Sequence, residues 1–156
     1  MKHDMYVKDG ISLIHGDSLQ ALKGYGDNHF DIAIVDPLYG IGISSNPFRQ
    51  KHEKCDCDWD NAIPNKQYFD ELMRVSKNQI IWGGNYFDLP VELYRWLLEM
   101  YTSEGDLVLD THLGSGSIAI ACHYMKRKLI GYEIDADYYR KACKRFEEQT
   151  RQIALW

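Results

Sequence analysis

The sequence predicts an α/β fold in which βαβ units surround a mostly parallel sheet. Short runs rich in Ile, Val and Leu alternate with amphipathic stretches, which is the pattern of βαβ units. A Gly114-Ser115-Gly116 turn also lies directly between an apolar run and an amphipathic stretch. At 156 residues with 45% hydrophobic content, the chain is expected to form a single domain over residues 1–156 with a substantial core.

The apolar runs predict strands and the amphipathic stretches predict helices. Strands are expected at about 11–15, 31–35, 79–82, 107–110 and 129–133. Helices are expected at 18–23, 65–76, 91–102, 117–126 and 136–149. Asp17 and Asp135 precede the first and the last helix and can cap their N-termini.

Residues 44–58 are predicted to form a mobile loop. The stretch contains Pro47 and mixed charges, has no hydrophobic periodicity, and is too long for a minimal connection between elements. It includes His52, Cys55 and Cys57, but the C-D-C spacing differs from that of structural zinc sites, so no metal is expected. Cysteines without a paired framework predict a reduced protein in the cytoplasm.

Charge and hydropathy limit the partners that the chain is expected to have. The formal net charge is -5, which argues against a surface that is basic overall, so a nucleic-acid contact would need a local basic face. No apolar run has the length of a membrane span, so a membrane partner is not expected.

The segment LVLDTHLGSGSIAIA predicts a ligand-binding loop. Asp110 ends a strand, and the glycines that follow allow backbone to approach a ligand at the start of a helix. The next strand ends in Glu133, 17 residues after Gly116, close to the interval of about 20 residues at which dinucleotide folds place an acid on ribose hydroxyls. No Lys-Ser/Thr pair follows, so the loop is not a P-loop. An ordinary glycine turn remains the alternative.

Asp36, Pro37 and Tyr39 follow another predicted strand and together suit a planar ring that bears an amino group. Asp36 can accept one N–H, the Pro37 carbonyl can accept a second, and Tyr39 can lie on the ring face. Two such acceptors would direct the nitrogen lone pair toward an electrophile, so that positioning and electrostatics carry much of the rate. Asp-Pro is also a common turn initiator, so a simple strand stop is the alternative.

Six segments, in chain order, carry a resemblance to a known family: GDSLQAL, DIAIVDPLYGIG, IIWGGNYF, VELYRWLL, DLVLDTHLGSGSIAIA and GYEIDADYY. The chain resembles the beta group of amino DNA methyltransferases, which modify adenine N6 or cytosine N4 and in which a D-P-P-Y motif precedes the glycine-rich motif. The resemblance implies a Rossmann-like class I methyltransferase fold, with helices on both faces of a mostly parallel sheet and a circularly permuted motif order. It also implies S-adenosylmethionine as cofactor and a flipped-out base in DNA as target.

The resemblance implies roles for individual residues. Asp36 and Pro37 would hold the target amino group, and Tyr39 would stack on the base. The glycine-rich loop would cradle the methionine half of the cofactor, Glu133 would bind the ribose hydroxyls, and Asp17 would contact the cofactor's adenine. The implied cofactor-binding residues are Asp17, Asp110, Thr111, Leu113, Gly114, Ser115, Gly116 and Glu133.

The resemblance also implies a spatial strand order of 11–15, 129–133, 107–110, 31–35 and 79–82. The chain would change direction between 107–110 and 31–35, and ligands of open α/β sheets bind at such a switch point. We therefore expect the glycine-rich loop and the Asp36 corner to face one crevice.

Two features depart from the family pattern. Leu38 replaces the second proline of D-P-P-Y, which removes a fixed φ and predicts a looser corner. Between about residues 88 and 91 the recognition region is expected to be absent, together with the last strands of the sheet and a lysine where this chain has Leu89. Either the natural chain is truncated, or the sequence comprises only the ordered residues of a longer protein; the second explanation is favoured.

The sequence thus predicts a site-specific DNA methyltransferase, with adenine N6 favoured over cytosine N4, as found in restriction-modification systems. Methylation of RNA or of a protein amide is a second possibility, which the motif order and the acid at position 36 disfavour. A catalytically silent cofactor-binding remnant is a third. The protein is expected to be a monomer or a homodimer.

Overall fold

A computed structural model describes residues 4–37, 64–82 and 90–151 and confirms the predicted α/β architecture. The strands of the described part are β1 Met5–Lys8, β2 Ile11–His15, β3 Ile32–Val35, β4 Gln79–Ile81, β5 Leu107–Asp110 and β6 Lys128–Glu133. Its helices are α1 Ser18–Leu22, α2 Lys66–Val75, α3 Val91–Tyr101, α4 Ser117–Tyr124 and α5 Ala136–Gln149. Asp17 and Asp135 accept hydrogen bonds from the first-turn N–H groups of α1 and α5, as predicted.

The strands form a sheet in the order β1-β2-β6-β5-β3-β4. The predicted order of the five strands β2 to β6 is confirmed, and their pairings are parallel. β1 is an addition at one edge, where it runs antiparallel to β2. It was not predicted because it is short and is half exposed, although the Asp9-Gly10 turn, with φ values of 51° and 81°, is a known hairpin signal.

Helices cover both faces of the sheet. Ile34 of β3 and Val108 of β5 pack on the side of α3, α4 and α5. Their chain neighbours Ala33 and Leu109 pack on the side of α2. Burial on both faces explains why these strands are continuous apolar runs. The carboxyl ends of β2, β6, β5 and β3 consequently meet at one edge, where the residues that follow them are free to form a site.

Several predictions fall outside the described residues. They are the positions of Leu38 and Tyr39, the loop 44–58 with His52, Cys55 and Cys57, and the chain at 88 and 89 where the recognition region was expected to be absent. The assignment of residues 1–156 to one domain also stays a prediction.

Gly116 lies at the start of α4, where this helix packs closely on α5. Its φ is 75°, and a Cβ added there would lie 3.1 Å from the Cβ of Ala142. The close approach of the two helices therefore depends on the missing side chain.

We expect Gly116→Ala to lower the free energy of unfolding by about 1 to 3 kcal/mol, because it adds both backbone strain and a steric contact. Urea unfolding followed by circular dichroism measures this change. Gly26→Ala is the matched control, since a Cβ at Gly26 meets nothing within 4 Å. Equal effects of the two substitutions would contradict the packing argument.

Candidate active site

Three acidic residues from different strands meet at the carboxyl edge of the sheet. Asp110 ends β5, Glu133 ends β6, and Asp36 directly follows β3. Burial raises the pKa of Asp110 to about 7, and the charges of Glu133 and Asp36 act in the same direction. The three carboxyl groups therefore share one electrostatic environment, although Asp36 and the glycine-rich loop are far apart in sequence.

The Glu133 carboxylate connects the glycine-rich loop to the last strand. The Gly114 N–H donates to Oε2 at 2.9 Å, and the Asp135 N–H donates to Oε1 at 2.9 Å. Burial raises the pKa of Glu133, while these backbone hydrogen bonds act in the opposite direction. A third backbone hydrogen bond, from Ile134, acts in the same direction. The remaining acceptor capacity of the carboxylate is available to a ligand.

Asp110 lies beneath the loop and shapes it. Only 1% of the residue is exposed, and its Oδ1 accepts a hydrogen bond from the His112 N–H at 2.9 Å. This hydrogen bond gives Asp110 a structural role in the turn. Its predicted contact with a cofactor remains a prediction.

The corner after β3 is only partly described. Asp36 is half-buried and Pro37 is buried, and burial raises the pKa of Asp36. The Asp36 carboxyl group is thus partly shielded from bulk solvent. Tyr39 is outside the described residues.

Two glycines with positive φ form the turn of the loop. The φ values are 52° at Gly114 and 75° at Gly116. Arg145 of α5 holds this turn, because its Nη1 donates to the Ser115 carbonyl, to Ser115 Oγ and to Ser117 Oγ at 2.9 to 3.1 Å. Arg145 was not predicted as a site residue, since nothing in its local pattern distinguishes it from other polar residues of α5.

Tyr68, Thr111 and His112 form a hydrogen-bonded chain that was not predicted from the sequence. The Tyr68 hydroxyl lies 2.6 Å from Thr111 Oγ1, which lies 2.9 Å from His112 Nδ1. The Tyr68 and His112 rings also make an edge contact, with centroids 5.6 Å apart. Burial lowers the pKa of His112 to about 4. The sequence feature that could have identified His112 is its place between the strand-end acid Asp110 and the glycine turn.

Asp17 lies at the same edge, beyond β2. It is exposed, and its Oδ1 accepts a hydrogen bond from the Leu19 N–H at 2.9 Å. The neighbouring Gly16 N–H donates to the Glu133 carbonyl at 2.9 Å. The structure thus places Asp17 near the end of β6, and its predicted contact with adenine remains a prediction.

The stability of the fold should respond to pH through Asp110 and His112 in opposite directions. Folding raises the pKa of Asp110 from 3.8 to about 7, so its contribution is present below about pH 4 and is lost as the pH rises toward 7. Folding lowers the pKa of His112 from 6.5 to about 4, so its contribution is present above pH 6.5 and is lost as the pH falls toward 4. The two effects offset each other between these limits.

Single substitutions should therefore reveal opposite slopes. Relative to the unaltered protein, Asp110→Asn should make the free energy of unfolding rise with pH between 4 and 7, by up to about 1.4 kcal/mol per pH unit. His112→Phe should make it fall with pH over most of the same range. Urea unfolding at a series of pH values measures both slopes. Curves parallel to that of the unaltered protein would contradict the assigned pKa shifts.

A sequence model of the DNA methylase family, N6_N4_Mtase, matches residues 46–144 of this chain. The chain belongs to this family. The match includes the glycine-rich loop and Glu133 and begins after Asp36. Membership in the DNA methylase family confirms the resemblance that the motifs predicted.

Several members of the methylase family are similar to this chain. The type II methyltransferase M.HpaI of Haemophilus parainfluenzae is 24% identical over 149 residues, which cover 93% of this chain and 46% of that protein. The probable type III restriction-modification enzyme HindVI Mod subunit of Haemophilus influenzae is 42% identical over 64 residues, covering 38% of this chain and 9% of that protein. The chain thus spans less than half the length of these two relatives.

Solved structures of DNA methylases share the fold. A putative DNA modification methylase from Thermus thermophilus, in complex with S-adenosyl-L-methionine, has a TM-score of 0.57 at 16% identity, over 92% of this chain and 98% of that one. PvuII DNA methyltransferase, which is cytosine-N4-specific, has a TM-score of 0.53 at 12% identity, over 94% of this chain and 88% of that one. Both likenesses support the Rossmann-like methyltransferase fold of this family.

Neither a membrane-spanning helix nor a metal-binding cluster occurs in the part of the chain that the structure describes. In residues 4–37, 64–82 and 90–151, no helix has the length and apolar character needed to cross a bilayer. Over the same ranges, no group of three or more His, Cys, Asp or Glu side chains could hold a metal ion.

Proposed function

We propose that this protein transfers a methyl group from S-adenosylmethionine to the exocyclic amino group of a base in DNA, with adenine N6 favoured over cytosine N4. Membership in the DNA methylase family supports the reaction class. The observation that carries the proposal is the position of Asp110, Glu133 and Asp36 at the carboxyl ends of three neighbouring parallel strands, β5, β6 and β3. It means that the group expected to bind the cofactor ribose and the group expected to bind the amino group lie at one edge.

The residues at this edge fit the cofactor. Glu133 has lone pairs for a vicinal diol, and Gly114 and Gly116 leave the backbone of the loop open to close approach. Glu133, Asp36 and Asp110, which is only partly ionised at pH 7 because its pKa is about 7, give the crevice a negative potential, which favours a ligand with a sulfonium cation. Glu133 would hold the ribose, the segment from Asp110 to Gly116 the methionine half, and Asp17 the adenine.

The bound cofactor would supply an electrophilic methyl group. Asp36 would accept one hydrogen bond from the amino nitrogen, and the Pro37 carbonyl would accept the other, so that the nitrogen lone pair faces the methyl group. Tyr39 would stack on the base. Because burial raises the pKa of Asp36, its carboxylate is also suited to accept the proton that the nitrogen loses after transfer.

The target polymer and the cellular setting are part of the proposal. The names of M.HpaI and of the HindVI Mod subunit favour DNA and restriction-modification, and a duplex base would have to be flipped out to reach Asp36. The proposed form is a monomer or a homodimer in the cytoplasm, which is the expectation from the sequence. The net charge of -5 implies that most phosphate contacts are made by a small basic surface or by residues outside the described part.

A second candidate is a cofactor-binding remnant without transferase activity. It is favoured by Leu38, which stands where the family motif has its second proline, and by the recognition region that is expected to be absent between about residues 88 and 91. Such a remnant would keep the Glu133 and glycine-loop contacts and would lack the means of bringing a base to Asp36.

Calorimetry and methyl transfer together distinguish these functions. The protein is titrated with S-adenosylmethionine and is then incubated with deuteriomethyl-labelled cofactor and unmethylated DNA, followed by mass spectrometry of the nucleosides. Labelled N6-methyladenine is the expected product, and labelled N4-methylcytosine would reassign the base. Cofactor binding with no labelled nucleoside would support the remnant. Transfer only to RNA or to a glutamine-containing peptide would overturn the DNA assignment.

A further inference from the structure

We propose that His112 is a cofactor-contacting residue, whose Nε2–H donates a hydrogen bond to the carboxylate of the cofactor's methionine half. This inference rests on the proposed function, because it requires S-adenosylmethionine at the glycine-rich loop. It adds to that loop a side-chain donor that the sequence motifs did not identify.

The position of His112 follows from the strand order. β5 lies between β6 and β3, so the residues directly after β5 lie between Glu133 at the end of β6 and Asp36 after β3. In the proposed function the methionine half of the cofactor must cross this interval, since the ribose is held at Glu133 and the methyl group faces Asp36. His112 is therefore beside the path of the methionine half.

A carboxylate in this crevice needs hydrogen-bond donors, because Asp110, Glu133 and Asp36 are all acids. Backbone N–H groups of the loop are largely engaged within the protein. The N–H groups with internal acceptors are those of His112 with Asp110, Leu113 with Tyr132, Gly114 with Glu133, and Gly116 with Leu113. A side-chain donor would therefore strengthen the binding of an anionic group at this part of the loop.

The positively charged side chain of Arg145, near the loop, donates its hydrogen bonds to oxygens of the protein. Its Nη1 donates to the Ser115 carbonyl and to the hydroxyl oxygens of Ser115 and Ser117. It thereby fixes the shape of the turn. The His112 ring differs from Arg145 because, among the described residues, its hydrogen bond is made by Nδ1. Its Nε2 is therefore available to a ligand.

The chain from Tyr68 through Thr111 sets the tautomer of His112. A phenol is the best donor of the three groups, and the imidazole nitrogen is the best acceptor. The favoured proton order is therefore Tyr68 O–H to Thr111 Oγ1, and Thr111 O–H to His112 Nδ1, over distances of 2.6 and 2.9 Å. In that order Nδ1 is an acceptor, and the hydrogen of the neutral ring resides on Nε2.

A neutral donor suits this place better than a cation. Burial lowers the pKa of His112 to about 4, so the ring is neutral at physiological pH. A protonated imidazole would repel the sulfonium of the cofactor, which carries the reacting methyl group. A neutral Nε2–H can bind the carboxylate without adding that repulsion.

Calorimetry with two ligands tests the contact without any measurement of activity. S-adenosylmethionine is compared with decarboxylated S-adenosylmethionine, which lacks only the carboxylate. His112→Phe should weaken binding of the first ligand about tenfold or more, the range for a hydrogen bond to a charged group, and should leave binding of the second nearly unchanged. His29→Phe is the matched control, because His29 precedes β3 at the opposite end of the sheet, and it should change neither affinity.

Two amide substitutions separate the ring nitrogens. The amide nitrogen of His112→Gln can occupy the place of Nε2, whereas that of His112→Asn reaches only as far as Nδ1. We expect His112→Gln to keep most of the preference for the carboxylated ligand and His112→Asn to lose it. Equal losses for both ligands in His112→Phe, or no loss for either, would overturn the contact. If the unaltered protein does not bind S-adenosylmethionine, both the contact and the proposed function are overturned.

Nuclear magnetic resonance of the unaltered protein gives a test that does not depend on the folding of a variant. Long-range proton-nitrogen spectra report which ring nitrogen carries the hydrogen. A hydrogen on His112 Nε2 at pH 7 is the expected result, with a chemical-shift change of that group on addition of S-adenosylmethionine and a smaller one with the decarboxylated ligand. A hydrogen on Nδ1 would overturn the proposal.

Discussion

Asp36→Ala is expected to reduce methyl transfer by about 10² to 10³-fold while leaving the affinity for S-adenosylmethionine nearly unchanged. The side chain is half-buried at the carboxyl edge of the sheet, and its proposed partner is the amino group of the base. Its removal leaves one acceptor, the Pro37 carbonyl, and the nitrogen lone pair is no longer directed at the methyl group. Single-turnover transfer to unmethylated DNA measures the rate, and calorimetry measures the cofactor affinity.

Asp31→Ala is the matched control for this substitution. Asp31 directly precedes β3, at the end opposite Asp36, where it accepts hydrogen bonds from Lys77 Nζ at 2.6 Å and from the Leu107 N–H at 2.8 Å. Its loss should lower stability and leave the transfer rate of the folded protein unchanged. A large loss of cofactor binding in Asp36→Ala would show that Asp36 has a different role.

The second large effect is expected for Glu133→Gln, which should weaken binding of S-adenosylmethionine about 100-fold. Both carboxylate oxygens accept backbone N–H groups, from Gly114 and from Asp135. In glutamine one of these oxygens becomes an NH₂ group, so a donor faces a donor and the loop loses its attachment to β6. The amide also has a weaker acceptor for the ribose hydroxyls than the carboxylate.

Glu147→Gln provides the control for a general effect of losing a glutamate. Glu147 lies on α5, where it accepts a hydrogen bond from the Tyr6 hydroxyl of β1, and the proposed function gives it no contact with the cofactor. It should leave cofactor affinity unchanged. Circular dichroism establishes that both variants are folded. An unchanged dissociation constant for Glu133→Gln would refute the assignment of Glu133.

The parts of the fold that could be predicted from the sequence are those governed by local pattern. β3 and β5 are apolar runs because helices cover both faces of the sheet there, so burial and sequence pattern agree. The spatial order of β2 to β6 was implied by the family resemblance. β1 has only four residues, and every second one is exposed. Such a short pattern identifies a strand only when the Asp-Gly turn that follows is also taken into account.

The site was predicted less completely, because its contacts join distant parts of the chain. Asp110, Gly114 and Glu133 could be named from their spacing. The hydrogen bond between Tyr68 and Thr111 spans 43 positions, and that between Arg145 and Ser115 spans 30. No local signal couples such residues, since α2 and α5 bring them to the loop only when the sheet has formed.

A crystal structure of the protein with S-adenosylmethionine is the most direct test of a shared crevice for cofactor and target. We expect the ribose hydroxyls to lie within hydrogen-bond distance of Glu133, and the sulfonium methyl group to point toward the Asp36 carboxyl group. A cofactor bound away from Glu133, or one whose methyl group is turned away from Asp36, would contradict the account.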